Sequence, residues 1–541
     1  MVTPQAARLD SAHNWGAEPL VAFLLIVCVT LLVYLLYGAD SDGPSDVYVG
    51  RHFVRPVTNA LALAGDHISV ITLLTTTGIV ALGGYDGITP VICIVGALGV
   101  LVLLAQPLRG IGRYTLGDTL GARFPGTAAR VAGTVATLCF CLPMTVVQLI
   151  VAGGSVSGLL GISDISGAAQ VCTGLIGALM ICVVALSGMR GNTVVQAIKT
   201  VVLLFAMTVL ASQVLNAYGW NAHRLLDAAA RNSPDPEHFY EPGLLNGGGT
   251  KGFLSQLSQQ ITVILGAAVA PHVLMRLNTA KDGTSARRMV KYTIGLLTFF
   301  CVLIVLLGLG TSALVGGENL LTAENRELAA LPLLAEQVAA TGTGGGMILA
   351  LVVPMVFLTS LTVVAALTLS SAASLAHDIY AQRGGRAARN ELRATRWSAV
   401  LFGALAVTLS VGLQGQPLTF LVQFAVTAAA AAILPALVFE LFWSGFTRAG
   451  MLWSVYGGLG CCVVLQLSSP SVSGTPAAVF PDADFAWFPF ESTGLVAVPV
   501  GFLLGWVASH LAPTRSPAEV DYVELQKRTL TDSMELRDQT R

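Results

Sequence analysis

Thirteen long apolar runs follow one another along this chain, at 19–37, 59–82, 88–107, 129–154, 167–187, 193–213, 252–275, 292–314, 344–372, 397–413, 418–443, 450–468 and 492–512. A helix needs about 20 such residues to cross the hydrocarbon core of a bilayer. The chain therefore reads as an all-α polytopic membrane protein with thirteen transmembrane helices. Charged residues make up 11% of its 541 positions, against about 25% in soluble domains, and the deficit runs almost end to end. With a net charge of −1, nothing points to nucleic acid as a partner; the partner is the lipid bilayer. The 9 cysteines all lie inside apolar runs without a CxxC pair, and read as small buried hydrophobes. The first run lacks a basic segment ahead of it and is long for a signal-peptide core, so it reads as a retained helix.

Lys and Arg orient the chain. With the N-terminus outside, the inner loops 38–58, 108–128, 188–192, 276–291, 373–396 and 444–449 and the tail carry 22 of the 29. Residues 1–18 are then extracellular, 19–512 form one transporter-sized membrane domain, and 513–541 form a mobile cytosolic tail in a plasma-membrane protein. The outer loops 214–251 and 315–343 are too small to be enzyme domains; the second suits a short surface helix. Lys199 is expected to reach the inner surface, and Glu440 to meet a basic inner loop. The chain reads as no enzyme: its work falls to the helices.

Two of those helices are interrupted. LALAGDHISV, at 61–70, sets Gly65, Asp66 and His67 into an apolar run; all three are poor helix formers, and a charge at mid-membrane is expensive. LGAAVAPHVLMR, at 265–276, is broken at Gly266 and Pro271, where proline removes a donor and clashes with the preceding turn. If the first run is helix 0, the breaks fall in helices 1 and 6. Two five-helix repeats result, 59–213 and 252–443, with helices 11 and 12 at 450–512. An odd number of helices inverts the second repeat relative to the first. Paired broken helices in inverted repeats mark the midplane binding site of secondary transporters.

Five motifs then carry a resemblance: DVYVGRHFVRPVTNALALAGDHIS at 46–69, GYDG at 84–87, LRGIGRYTLGDTLGARF at 108–124, PHVLMR at 271–276 and HDIY at 377–380. In this order the chain resembles the sodium:solute symporter family, and within it the cation/acetate (monocarboxylate) branch, from about 20 to 512. The resemblance implies a LeuT-like fold of two inverted five-helix repeats with broken first helices. It implies a sodium ion between helices 1 and 8, on the carbonyls of Gly65 and Ile68 and the hydroxyl of Thr362, with Thr359 or Asp66 completing the shell. Val363 stands where a second hydroxyl is usual, which keeps proton coupling through Asp66 or His67 open. Ser69, Thr75, Gln148, Ala268 and His272 face the substrate cavity in the resemblance. GAAVA at 266–270 departs from the branch's Gly-Thr-Ala-Gly-Leu run, which bears on the substrate.

The expected function is cation-coupled symport of a small organic acid, with Na+ or H+ as the coupling ion and no resident cofactor. A carboxylate suits a half-helix N-terminus, and a cation suits the carbonyls at a break. Another family solute, an amino acid or sugar, is the alternative within the class; a membrane sensor or receptor is the alternative outside it.

Overall fold

The computed structural model describes residues 17–38, 43–50, 55–159, 162, 165–245, 249–323, 326–341, 345–382, 388–475, 478–512, 520 and 522–531. Most of residues 1–18 and of the tail 513–541, and Arg383 and Arg386 of the basic loop 373–396, lie outside the described residues.

An apolar helix, α1 (Ala17–Gly38), leads into the short α2 (Pro44–Val49). Helix α3 (Pro56–His67) opens on proline, whose fixed φ suits a first helical turn. It ends at Ile68, whose φ of −81° and ψ of 89° are not helical. A π turn at Ile71–Thr75 resumes the path into α4 (Thr76–Ile111). Inside α4, Gly84 takes a φ of 49° and turns the chain back; a Cβ there would collide with the Phe239 carbonyl. Next come α5 (Leu116–Leu120), α6 (Thr127–Leu159) and α7 (Ala168–Ala217). α7 is two helices joined at Gly188, which has a φ of 59°. Helix α8 (Ala222–Arg231) lies in the loop before the second half of the fold.

The second half repeats the opening device. α9 (Gly249–Ala268) stops two residues before α10 (Pro271–Leu277), with Ala270 extended at a ψ of 130°. α11 (Gly283–Leu314), α12 (Gly317–Thr322) and α13 (Arg326–Thr341) follow. α14 (Gly345–Ala373) passes into a π turn at Ser374–Tyr380. α15 (Ala388–Gly412) precedes α16 (Thr419–Ala428), which continues through a π turn at Ala429–Ile433 into α17 (Leu434–Phe442). α18 (Arg448–Leu467) and α19 (Gly494–Leu511) pack on each other, and α20 (Tyr522–Thr531) ends the described chain.

Among the described residues, 11 helices are long and apolar enough to cross a membrane. The expected thirteen are not reached by this measure for two reasons. Gly84 divides Ile71–Ile111 into two helices that this measure counts once, and only Leu25–Tyr37 of α1 enters the measure. Helix 8 is innermost, because every residue of its apolar window is buried within Met355–Tyr380. Leu103, Leu175, Phe205, Trp397 and Leu401 point outward and are exposed, as lipid-facing side chains are.

Three expectations are corrected. Lys199 and Arg276, placed near the inner surface from their positions in the runs, are both 0% exposed. The 315–343 loop forms α12 and α13, but α13 is no free surface helix: Leu334 and Ala335 are buried, and it packs on α4, α14 and the π turn at Ile71–Thr75. The tail is not wholly mobile. α20 docks on α4, Leu525 is buried, and the Val520 N–H donates to the Arg123 carbonyl at 3.1 Å.

Candidate functional site

An unbroken helix would pair the Gly65 carbonyl with the Ser69 N–H and the Ile68 carbonyl with the Thr72 N–H. Neither pairing forms. The Ser69 N–H donates to the Thr72 hydroxyl at 2.6 Å, and the Thr72 N–H donates to the Ser69 hydroxyl at 3.1 Å. The two hydroxyl residues thus cap the restart of the helix and leave both carbonyls without amides. The Lys199 ammonium, from α7, supplies the missing donors: it donates to the Gly65 carbonyl at 2.6 Å and to the Ile68 carbonyl at 3.1 Å. Thus Gly65 and Ile68, expected together as cation ligands, do converge, and a side-chain cation stands between them.

Asp66 turns the other way. Its carboxylate accepts from the Arg276 Nε and, at 3.2 Å, from Arg276 Nη2. The Gln196 amide donates to the same carboxylate at 2.7 Å, and Arg276 Nη1 reaches the Thr193 hydroxyl at 3.0 Å. Two broken helices, α3 and α10, are thereby tied to each other and to α7. The 46–69 motif, through Asp66, and PHVLMR, through Arg276, meet in this one bidentate pair, which is where such pairs are strong.

Thr362 donates its hydroxyl to the Leu358 and Thr359 carbonyls of its own helix at 2.9 and 3.2 Å. The Thr359 hydroxyl is buried without a partner. Among the expected substrate residues, Gln148 is fully buried with both amide atoms unpartnered, and His272 has an unpartnered Nδ1. The His272 ring stacks on Phe140 of α6, with centroids 5.7 Å apart. His67 Nε2 and the Ser360 hydroxyl are also unpartnered. Ser69 is used in the cap described above, Thr75 ends the π turn, and Ala268 is the last residue of α9. Buried polar atoms normally have partners, so an unpaired set on α3, α6, α10 and α14 is what a polar ligand between these helices would satisfy.

A second polar group lies where α5 meets the end of helix 8. The Thr115 hydroxyl donates to Asp378 at 2.8 Å, and Arg130 donates to Asp118 at 2.9 Å. His377 bridges Asp118 and Glu391, at 3.1 and 2.7 Å, and packs edge-on against Tyr114 and Tyr48. Burial would raise the Asp118 carboxyl, but the His377 hydrogen bond and charge, with Arg130 and Arg113, hold it below the usual carboxylate range. One ligand atom each from Asp118, His377 and Asp378 lie within 4.8 Å of one another. Arg130 and His377 already answer the Asp118 charge there, so the group is an ion-paired latch. GYDG serves a different part of the fold, since Asp86 accepts from the Gly243 and Leu245 N–H groups at 3.1 and 2.9 Å and holds the loop between α8 and α9. Glu440, expected at a basic loop, is fully buried with both carboxylate oxygens unpartnered; Arg123 instead donates to its backbone carbonyl at 3.3 Å.

Sequence reasoning missed the placement of Lys199, Arg276 and the Asp118 latch. The signal for Lys199 was present as a lone cation inside an apolar run, and that for the latch as two charged motifs at the ends of their runs.

The sodium:solute symporter family profile matches residues 47–458. A monocarboxylic acid transporter of Corynebacterium glutamicum is 35% identical over 96% of this chain and 97% of its own. An uncharacterized symporter of Bacillus subtilis is 32% identical over 94% and 97%. Among solved structures, a substrate-bound, outward-open Na+-coupled sialic acid symporter superposes with a TM-score of 0.70 at 14% identity, covering 92% of this chain and 98% of that one. A nucleobase-cation-symport-1 family transporter reaches 0.55 at 13% identity, over 90% and 99%. At such identities these two speak to the fold, which is the LeuT-like arrangement of inverted repeats with broken first helices.

Proposed function

The chain belongs to the sodium:solute symporter family, and from that premise we propose that it carries a small monocarboxylate, such as acetate, propionate or pyruvate, across the plasma membrane by cation-coupled symport. The observation that carries the substrate class is a buried charge imbalance beside the two breaks. Lys199 donates to the Gly65 and Ile68 carbonyls and Arg276 to Asp66, and among the described residues Asp66 is the carboxylate acting on both cations. A buried excess of one positive charge is costly unless paired, and a monoanion supplies the pair. The similarity to a relative named a monocarboxylic acid transporter supports the same class.

Ser69, Thr75, Gln148, Ala268 and His272 are the residues we assign to the substrate cavity. The unpartnered Gln148 amide and His67 Nε2 are suited to hydrogen-bond a carboxylate or an α-keto group. Alternating access follows from rocking of the helices around the breaks, with the Asp66–Arg276 pair tying the two broken helices together. We place the N-terminus outside and the C-terminus in the cytosol, on the Lys and Arg count.

Counterflow in proteoliposomes tests the reading. Labelled acetate, propionate or pyruvate should exchange against the unlabelled acid, with amino acids and sugars failing to compete. Exchange of none of the three acids would sink the substrate class, and competition by an amino acid or sugar would replace it.

A further inference from the structure

The carbonyls freed at the helix-1 break form the kind of oxygen cradle that takes a small metal cation. Three of the oxygens expected in such a shell, the Gly65 and Ile68 carbonyls and the Asp66 carboxylate, are engaged, whereas the Thr359 hydroxyl is unpartnered and the Thr362 oxygen keeps its lone pairs. Gly65 and Ile68 accept from the Lys199 ammonium. Asp66 accepts from Arg276 and Gln196. Thr362 spends its hydrogen on its own helix, and Val363 brings no oxygen. A metal ion between the two carbonyls would stand within hydrogen-bond distance of a buried ammonium, and like charges so close in a low-dielectric interior repel strongly.

The ammonium is also built in rather than incidental. Lys199 is 0% exposed, so its stem cannot carry the charge to water. The charged groups acting on it are Asp66 of α3 and Arg276 of α10. His67 and His272 stand on those same two helices beside Asp66 and Arg276. Tyr34 of α1 faces the Asp66–Arg276 pair and donates to Asn192 at 3.1 Å. The described part of α14 carries no charged side chain; its polar groups are hydroxyls, among them Thr359, Ser360 and Thr362. Gly65 completes the fit: a Cβ there would lie 2.5 Å from the Gln196 side-chain oxygen and 2.7 Å from the Thr200 hydroxyl, so only glycine lets α7 approach closely enough for the ammonium to reach both carbonyls.

We propose that the Lys199 ammonium is a tethered cation that fills the metal position at the helix-1 break, so that this symporter binds and exchanges its substrate with no sodium ion there. The inference rests on the monocarboxylate reading for its substrate, and on the geometry alone for its cation. Coupling to a cation continues, but sodium on Gly65 and Ile68 is not that cation.

Purified full-length protein decides it by two measurements. In counterflow, which needs no ion gradient, wild-type acetate exchange should change less than two-fold when choline replaces sodium at constant pH. In detergent, its melting temperature should be the same in both salts. Lys199→Ala should lose at least ten-fold of the exchange in choline, and should gain a sodium-dependent rise in melting temperature as the carbonyls are uncovered. Wild-type exchange or melting that saturates with sodium would overturn the proposal, as would wild-type exchange by Lys199→Ala in choline. If no monocarboxylate exchanges in either salt, the substrate reading falls, while the melting of the wild-type protein in sodium and choline still decides the cation.

Discussion

A side chain at Gly65 would force the Gln196 amide and the Thr200 hydroxyl of α7 to shift, since a Cβ there would lie 2.5 and 2.7 Å from them. Gly65→Ala should therefore displace α7, weaken the Lys199 contact and cost about 1–3 kcal/mol in stability, the usual range for overpacking; thermal unfolding in detergent measures it. The neighbouring acid acts differently. Asp66→Asn removes the charge that pairs Arg276, leaving a buried guanidinium uncompensated, a change that costs about 3–5 kcal/mol when one partner of a buried pair is lost. That variant should unfold at lower temperature and lose exchange, and a wild-type melting temperature would refute the pairing as a structural tie. At this scale the sequence was half legible. Gly65, Asp66 and His67 stood out as a fault in an apolar run, but the partners of Gly65 and Asp66 lie 130 and more residues away, and no local pattern links Asp66 to Gln196 or Arg276.

The broken helices were the most legible elements, because a break has local causes. Gly-Asp-His lowers helix propensity at 65–67, where α3 ends, and Pro271 deletes a donor, so α9 stops at Ala268 and the chain restarts as α10 at the proline. The capping exchange between Ser69 and Thr72 was not legible, because Thr72 looks like any hydroxyl in an apolar run. The latch between α5 and the end of helix 8 belongs to this scale too. Its Asp118 is held below the usual carboxylate range in the folded protein. Its contribution is thus fully present above the ordinary aspartate value, about 4, and is lost as pH falls below that value through the lower folded one. Between pH 5 and 8 the ionisation of Asp118 should then add no pH dependence to the melting temperature, while the acid-side fall should be removed by Asp118→Asn. The tail helix offers another test. The Tyr522 ring lies 5.2 Å from the Arg123 guanidinium, and Leu525 of α20 is buried. Leu525→Asp should release the helix and raise amide exchange across 522–531 at least ten-fold, whereas unchanged protection would mean the docking does not depend on that contact.

For the whole molecule, orientation is the quantity that the charge count addresses. A C-terminal epitope should be reached by antibody only after permeabilisation, and one inserted within 219–245 should be reached in intact cells; the reverse pattern would overturn the assignment. Hydropathy by itself determined that the chain is an integral membrane protein of many helices, since the bilayer's thickness imposes a run length that composition must meet. The two interruptions, with their spacing, determined the inverted repeats, because proline, glycine and charge act on the backbone where they stand. Which buried charge meets which freed carbonyl was decided only by the tertiary structure. Lys199 and Arg276 sit at run positions that suit the inner surface, and only the packing of α3 against α7 and α10 turns one onto two carbonyls and the other onto a carboxylate. Long-range pairing of this kind depends on helix approach and rotation, which no periodicity within a single run encodes.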